Sequence, residues 1–322
     1  MSDFYCDESF KYYPTNVDFN DLQPTIIAIC IFNSFLTYTA IMLNILTIYA
    51  MYKASTIAKP LKTLLLNLAL SDVAVGLFGQ PFYTSLLIKW LQMENPGCNT
   101  YRMLSVCASF FSHPSFLGVV AVSVDRFLTV HFHLRYQELV THKRVVFVVI
   151  SLWVYSAFVS SIILWGLRST RDAFGLVSAV VGFILTFVLY IKIYHTVRRH
   201  KSHIQSMQIR EEAQSDEIKN FAAHIKSTVG VFYVYLVHIV CYVPFQIFSA
   251  AIRFHGSSIA MKKCYLLSVT LIFLNSSLNP VIYCWKMRHI RRAIMEIIRN
   301  VSRRRHPARF IHHGSRTERC AQ

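Results

Sequence analysis

Acidic residues are scarce in this chain: sixteen Asp and Glu among 322 residues, and apart from Asp72 and Asp125 each lies in a terminus or connecting segment. Charged residues make up only 15% and hydrophobic residues 54%, against roughly 25% charged in an ordinary soluble domain. With a mean hydropathy of +0.40, the composition excludes a soluble domain and points to lipid as the solvent. Catalytic signatures are missing as well. There is no HEXXH, no phosphate-cradling glycine loop and no nucleophile–base pair, so an enzyme is not expected. No short apolar region followed by a small-residue cleavage site opens the chain, so the first span is expected to act as a signal anchor. Residues 1–24 hold no Asn-X-Ser/Thr acceptor, and the matches at Asn275 and Asn300 fall in a span and in the tail.

What is present is basic, and unevenly so. The net charge is +17, yet residues 1–24 carry five acids against Lys11, while residues 286–322 carry eleven Lys and Arg against Glu296 and Glu318. Basic flanks are retained on the cytoplasmic side of a membrane and gain about 1 kcal/mol per charge near anionic lipid. The tail is therefore a topology signal and a membrane-lipid contact; nucleic acid is not an expected partner.

A bilayer core of about 30 Å needs roughly 20 helical residues. Seven stretches qualify, at about 25–52, 61–88, 101–130, 144–165, 173–197, 227–253 and 264–285. An outside amino terminus and an inside tail require an odd number of crossings. The expected fold is an all-α membrane protein, a seven-transmembrane helix bundle with a short amphipathic interfacial eighth helix. Its parts are an extracellular segment 1–24, a seven-transmembrane bundle 25–285, the interfacial helix 286–299 and a basic cytoplasmic tail 300–322. The eighth helix rests on Met287, Ile290, Ile294 and Ile297 or Ile298 at helical spacing; a solvated charged tail is the alternative. The long connection between spans five and six has neither Gly nor Pro from 183 to 229, which suits helices extended into the cytosol, with a flexible polar loop as the alternative.

The inner halves of the spans carry motifs: Asn44 in LNILTIYA, NLALSD ending at Asp72, Asp125–Arg126–Phe127, Trp153, Tyr190, CYVP from Cys241 to Pro244, and NPVIY from Asn279 to Tyr283. In this order and spacing the chain resembles the rhodopsin-like (class A) family of G-protein-coupled receptors over about 25–299. A carboxylate in hydrocarbon is costly unless it faces a polar interior, so Asp72 requires partners. Ser115, Asn275, Ser276, Asn279 and Asn44 are the candidates. The resemblance implies a sodium ion there, held by the oxygen ligands that hard cations prefer; no other cofactor or metal is expected, and a purely structural polar network is the alternative. It also implies that Arg126, released from Asp125, meets Tyr190, Tyr283 and a heterotrimeric G protein, with Leu134 as the hydrophobe that plugs into that partner and arrestin as a second partner. A snorkelling interfacial ion pair is the bland reading of Asp125–Arg126. Pro244 and Pro280 remove backbone hydrogen bonds and are candidate hinges. The expected location is the plasma membrane.

Several positions depart from the family pattern. Tyr242 and His238 stand where tryptophan and phenylalanine are usual, Gly182 stands near the place of the fifth-span proline, and Pro114 adds a kink to the third span. A receptor with high basal activity is therefore kept beside the ligand-regulated one. His113 and His238 are either pH-sensitive or metal-binding elements or plain buried histidines. The outer third span has Ala108 where amine receptors have a carboxylate, and the seventh has Phe273 where visual pigments have a lysine. That disfavours amines and retinal. Gln80, Ser109, Ser112, Tyr242, Gln246 and Tyr265 are the candidate ligand pocket, under a rim of Arg168, Arg171, Arg253, Lys262 and Lys263. A lipid, a peptide or a small uncharged or anionic molecule suits it; residues that merely anchor helix ends at headgroups would look the same. Cys6, Cys98 and Cys264 face the oxidising side, which allows three single pairings and leaves one thiol over. The short Gly166–Asp172 connection lacks a cysteine, and with the missing proline this resembles the melanocortin, lysophospholipid, cannabinoid and adenosine branch. Melanocortin-like receptors imply Cys6–Cys264. A transporter or channel is the alternative class, disfavoured by the lack of paired internal repeats.

Overall fold

The computed structural model describes residues 12, 14, 18–54, 57–94, 97–132, 135–207 and 215–305. Among these, seven helices are long and apolar enough to cross a membrane: α1 (Phe19–Lys53), α2 (Lys59–Leu91), α3 (Gly97–His131), α4 (His142–Trp165), α5 (Arg168–Met207), α6 (Ser215–His255) and α7 (Ile259–Lys286). An eighth helix, α8 (Arg288–Arg305), follows at once. No strand occurs among the described residues.

The helices overrun the expected spans at most ends because hydropathy marks the hydrocarbon, whereas a helix stops at a breaker or cap. α2 starts with Pro60 in its first turn, where the missing N–H costs nothing. Thr141 caps α4 by accepting the Arg144 amide, and Ser258 caps α7 by accepting that of Met261. Gly166 ends α4 at φ 77°, a left-handed turn that glycine adopts without strain. α5 continues to Met207 and α6 begins at Ser215, so both are helical beyond the apolar segment.

α3 lies at the centre, in contact with α2, α4, α5 and α6, while α1 closes the ring against α7. α5 leaves Val177, Val181, Ile184 and Phe187 outward, as lipid rather than water requires. α2 contains one π-turn, Val75–Gly79, which Gln80 and Pro81 follow. In α8, Ile290, Ala293 and Ile294 are buried against the bundle core around Ala50 and Met51. Met295 and Ile298 stay outward between arginines. The apolar stripe thus docks on the bundle while its edge faces lipid.

Candidate functional site

The polar residues of the bundle form layers, taken here from the middle outward. Asp72 of α2 is wholly buried. It accepts Asn279 Nδ2 at 2.8 Å and Ser115 Oγ at 3.3 Å, and the Ser276 hydroxyl as well. Asn44 reaches the same layer indirectly, donating to the Ser276 carbonyl at 2.9 Å and the Ala40 carbonyl at 2.8 Å. Asn275 turns instead to His238 Nε2 at 3.4 Å. The side-chain oxygens of Asn44, Asn275 and Asn279 are buried and make no hydrogen bond. A buried polar atom without a partner is costly, and the Asn279 oxygen, on the residue whose amide meets Asp72, is of the kind that suits a hard cation.

Toward the carboxyl-terminal face the interior turns dry. Leu65, Leu68, Val119, Val122, Val231 and Val234 close around Tyr283 and leave no room for a water molecule. Leu68 is one turn from Asp72 and Val122 one turn from Arg126, so this apolar layer separates the two polar ones. Below it Arg126 is clasped by its neighbour, Nε to Asp125 Oδ2 at 3.0 Å and a terminal nitrogen to the same oxygen at 2.5 Å. The other carboxylate oxygen accepts the Tyr136 hydroxyl at 2.6 Å. Both charged side chains are nearly inaccessible, at 4% and 3%. Burial, and then the nearby Asp125 charge, push the Tyr136 phenol above its ordinary range. It therefore stays a donor. Neither Tyr190 nor Tyr283 hydrogen-bonds Arg126: Tyr190 accepts Ser123 Oγ at 3.5 Å and stacks on Tyr235, and the buried Tyr283 hydroxyl has no partner. Leu134 and His133 lie outside the described residues.

On the other side of the Asp72 layer, the His238 ring stacks on Tyr242 and Phe116 tilts over both at 6.1 Å. Gly182 makes room for this cluster; a Cβ there would come within 2.8 Å of the Phe116 ring. Tyr242 is hydrogen-bonded by Ser112, and Tyr265 packs between Phe245 and Tyr12. Gln246 is half-buried, and Ser109 offers its carbonyl to His113 Nδ1 at 2.6 Å. Gln80 does not join them. It is buried toward α1, where its Nε2 donates to Asn33 Oδ1 at 3.2 Å, because the π-turn before it rotates the helix. Pro244 and Pro280 sit inside α6 and α7 as read. Among the described residues no three His, Cys, Asp or Glu side chains converge.

The rim is less basic than its composition suggests. Asp172 pairs with both Arg171 and Arg253, and Lys262 pairs with Asp18 at 2.7 Å. The implied Cys6–Cys264 bond is overturned: Cys264 is a free thiol, and Cys98 is the disulfide-bonded cysteine. Cys6 lies outside the described residues.

Three contacts escaped the sequence reading. Asn67 bridges three helices, accepting Trp153 Nε1 at 2.9 Å and donating to the Pro114 carbonyl at 3.2 Å. Tyr136 locks Asp125 from the connection after α3, and Asn33 pairs with Gln80. Only a buried amide at each of Asn33 and Asn67 hinted at them.

The pattern of the 7 transmembrane receptor (rhodopsin family) matches residues 43–174 and 169–283. Adenosine receptor A2b of Rattus norvegicus is 24% identical over 295 residues, covering 79% of this chain and 85% of that receptor. The chain therefore belongs to the rhodopsin family of seven-transmembrane receptors: a multi-pass membrane protein that signals through G proteins, and not an enzyme.

Proposed function

We infer that the chain is a ligand-regulated receptor of the plasma membrane, with its amino terminus outside and its tail in the cytosol. Ligand binding beside Tyr242 moves α6 about Pro244, opens the dry layer and frees Arg126 for an inserted G-protein helix. The observation that carries this reading is the closed clasp: Arg126 is held by Asp125, which Tyr136 holds in turn. A clasp with three members has a defined open state and a defined cost of opening, as a two-state switch requires.

The basic tail and the inner segments between spans support the orientation. A sodium ion at Asp72, with Ser115, Ser276 and Asn279 as its near neighbours, would stabilise the closed state; it supplies a positive charge beside the buried carboxylate. Arrestin is a second cytosolic partner, and α8 lies along the inner lipid surface. With Arg171, Arg253 and Lys262 already paired, a small uncharged polar ligand suits the pocket better than an acidic one. Ser112, Tyr242 and Gln246 offer hydroxyls and an amide to such a molecule. Adenosine, for which the rat relative is named, is the first compound to test.

The experiment is ligand-stimulated nucleotide exchange in membranes containing a heterotrimeric G protein, screened with adenosine and then a small-molecule library. Stimulation that vanishes in Arg126→Ala at normal surface expression supports the reading. Undiminished exchange in that variant removes it. High basal activity is the second reading, motivated by Tyr242 and His238 at the places where tryptophan and phenylalanine are usual. Substantial exchange without ligand selects it.

A further inference from the structure

A groove with a mostly apolar wall and a few polar side chains faces the lipid between α1 and the last turns of α2. It measures about 500 Å³, and Ser34, Pro81, Thr84, Ser85, Ile88 and Lys89 are among the residues that line it. The helix surfaces next to these residues in sequence are apolar and outward, with Phe35 and Phe82 exposed. Hydrocarbon cannot solvate an ammonium group, so Lys89 at the edge of a mostly apolar groove is matched by an amphiphile that brings an anion to the lysine and a chain to the wall.

The chemistry of the lining specifies that amphiphile. Ser34, Thr37 and Thr84 each donate their hydroxyl hydrogen to a carbonyl of their own helix, at 2.8, 2.8 and 2.9 Å. What they offer the groove is oxygen lone pairs. Ser85 and the half-buried Lys89 have no partner among the described residues. Pro81, Ser85, Lys89 and Gln92 fall on one stripe of α2, with Lys89 about 6 Å beyond Ser85 along the helix axis. A cation at the rim and a hydroxyl below it match a phosphate and a neighbouring glycerol hydroxyl. Pro81 and Ile88 supply the apolar wall that suits an acyl chain. The groove is built in advance: Asn33 Nδ2 reaches Thr84 Oγ1 at 2.6 Å and the Gln80 carbonyl at 3.2 Å, which fixes α1 against the segment following the π-turn.

We propose that this groove is a binding site for a single-chain glycerophospholipid, its phosphate on Lys89, its free glycerol hydroxyl on Ser85 and its acyl chain along Pro81. The site is separate from the pocket beside Tyr242 and does not depend on what that pocket binds.

Native mass spectrometry of the full chain in phosphatidylcholine nanodiscs tests it, with oleoyl lysophosphatidylglycerol as probe. One equivalent is expected to bind saturably. Lys89→Gln should weaken it about tenfold and Ser85→Ala about threefold, the effect of losing one charge-assisted and one neutral hydrogen bond. Lys263→Gln, at the same end of the bundle, should leave it unchanged. Oleoyl monoacylglycerol, without the phosphate, and two-chain phosphatidylglycerol, without the free backbone hydroxyl, should bind more weakly. Thermal midpoints of the variants report folding independently. Equal binding to Lys89→Gln overturns the proposal, as does equal affinity for the uncharged lipid. So does occupation by inorganic phosphate that the lysolipid does not displace.

Discussion

The imidazole of His238 lies flat on the ring of Tyr242, centroids 4.9 Å apart and planes 8° apart. The pair joins α6 to α7 through Asn275 and to α3 through Phe116 and Ser112. It occupies the level between the ligand pocket and Asp72, so movement of α6 has to break or carry it. His238→Ala removes a ring contact of about 0.5–1.5 kcal/mol and a hydrogen bond of about 1 kcal/mol. Ligand-free exchange should rise roughly tenfold, and His238→Phe, which keeps the ring, should rise less. Identical basal exchange in all three proteins would show that the stack does not restrain α6.

Tyr136 is the outer member of the clasp. Tyr136→Phe removes a hydrogen bond to a carboxylate, of about 1.5–3 kcal/mol, and basal exchange should rise several-fold with Arg126 intact. The phenol's pKa is raised by burial and by Asp125. Its contribution is therefore complete below the unfolded value of about 10 and fades only as pH climbs through the higher folded value. The difference in thermal midpoint between wild type and Tyr136→Phe should be flat from about pH 6 to pH 9. A difference that disappears across that interval would mean the phenol is not the donor.

If sodium occupies the Asp72 layer, replacing choline by sodium at constant ionic strength should lower basal exchange and raise the thermal midpoint. In Asp72→Asn both responses should vanish, because the carboxylate that attracts the cation is gone. Retention of the sodium response in that variant would place the ion elsewhere.

Asn67→Leu strands the buried-side Trp153 indole N–H, a loss of about 1–3 kcal/mol. The thermal midpoint of the purified receptor should fall by several degrees, with Trp153→Phe costing less because no donor is left unpaired. A midpoint equal to wild type would show that the bridge carries no stability.

The two outer cysteines should behave oppositely. Cys264→Ser changes a free thiol and should leave stability within about 0.5 kcal/mol. Cys98→Ser removes a disulfide and should cost about 2–5 kcal/mol, read as a lower midpoint and insensitivity to reductant. Reductant sensitivity that persists in Cys98→Ser and is lost in Cys264→Ser would reverse the assignment.

Much of the architecture was already determined by the amino-acid sequence. Seven apolar stretches of membrane length, broken by caps, glycines and prolines, dictate seven helices, because a lipid solvent leaves the backbone no other way to satisfy its hydrogen bonds. The single deep carboxylate, the Asp125–Arg126 pair and the spacing of Ile290 and Ile294 were legible for the same reason: each is locally costly unless placed as it is. Which partner each polar group takes was decided only by the tertiary structure. Asn275 turns to His238 rather than Asp72, Gln80 to Asn33 rather than the pocket, and Arg253 and Lys262 to acids distant in sequence. Those choices follow from helix rotation, the π-turn in α2 and the close approach at Gly182, none of which is encoded in any one segment. Helix packing sets them, and packing depends on every helix at once.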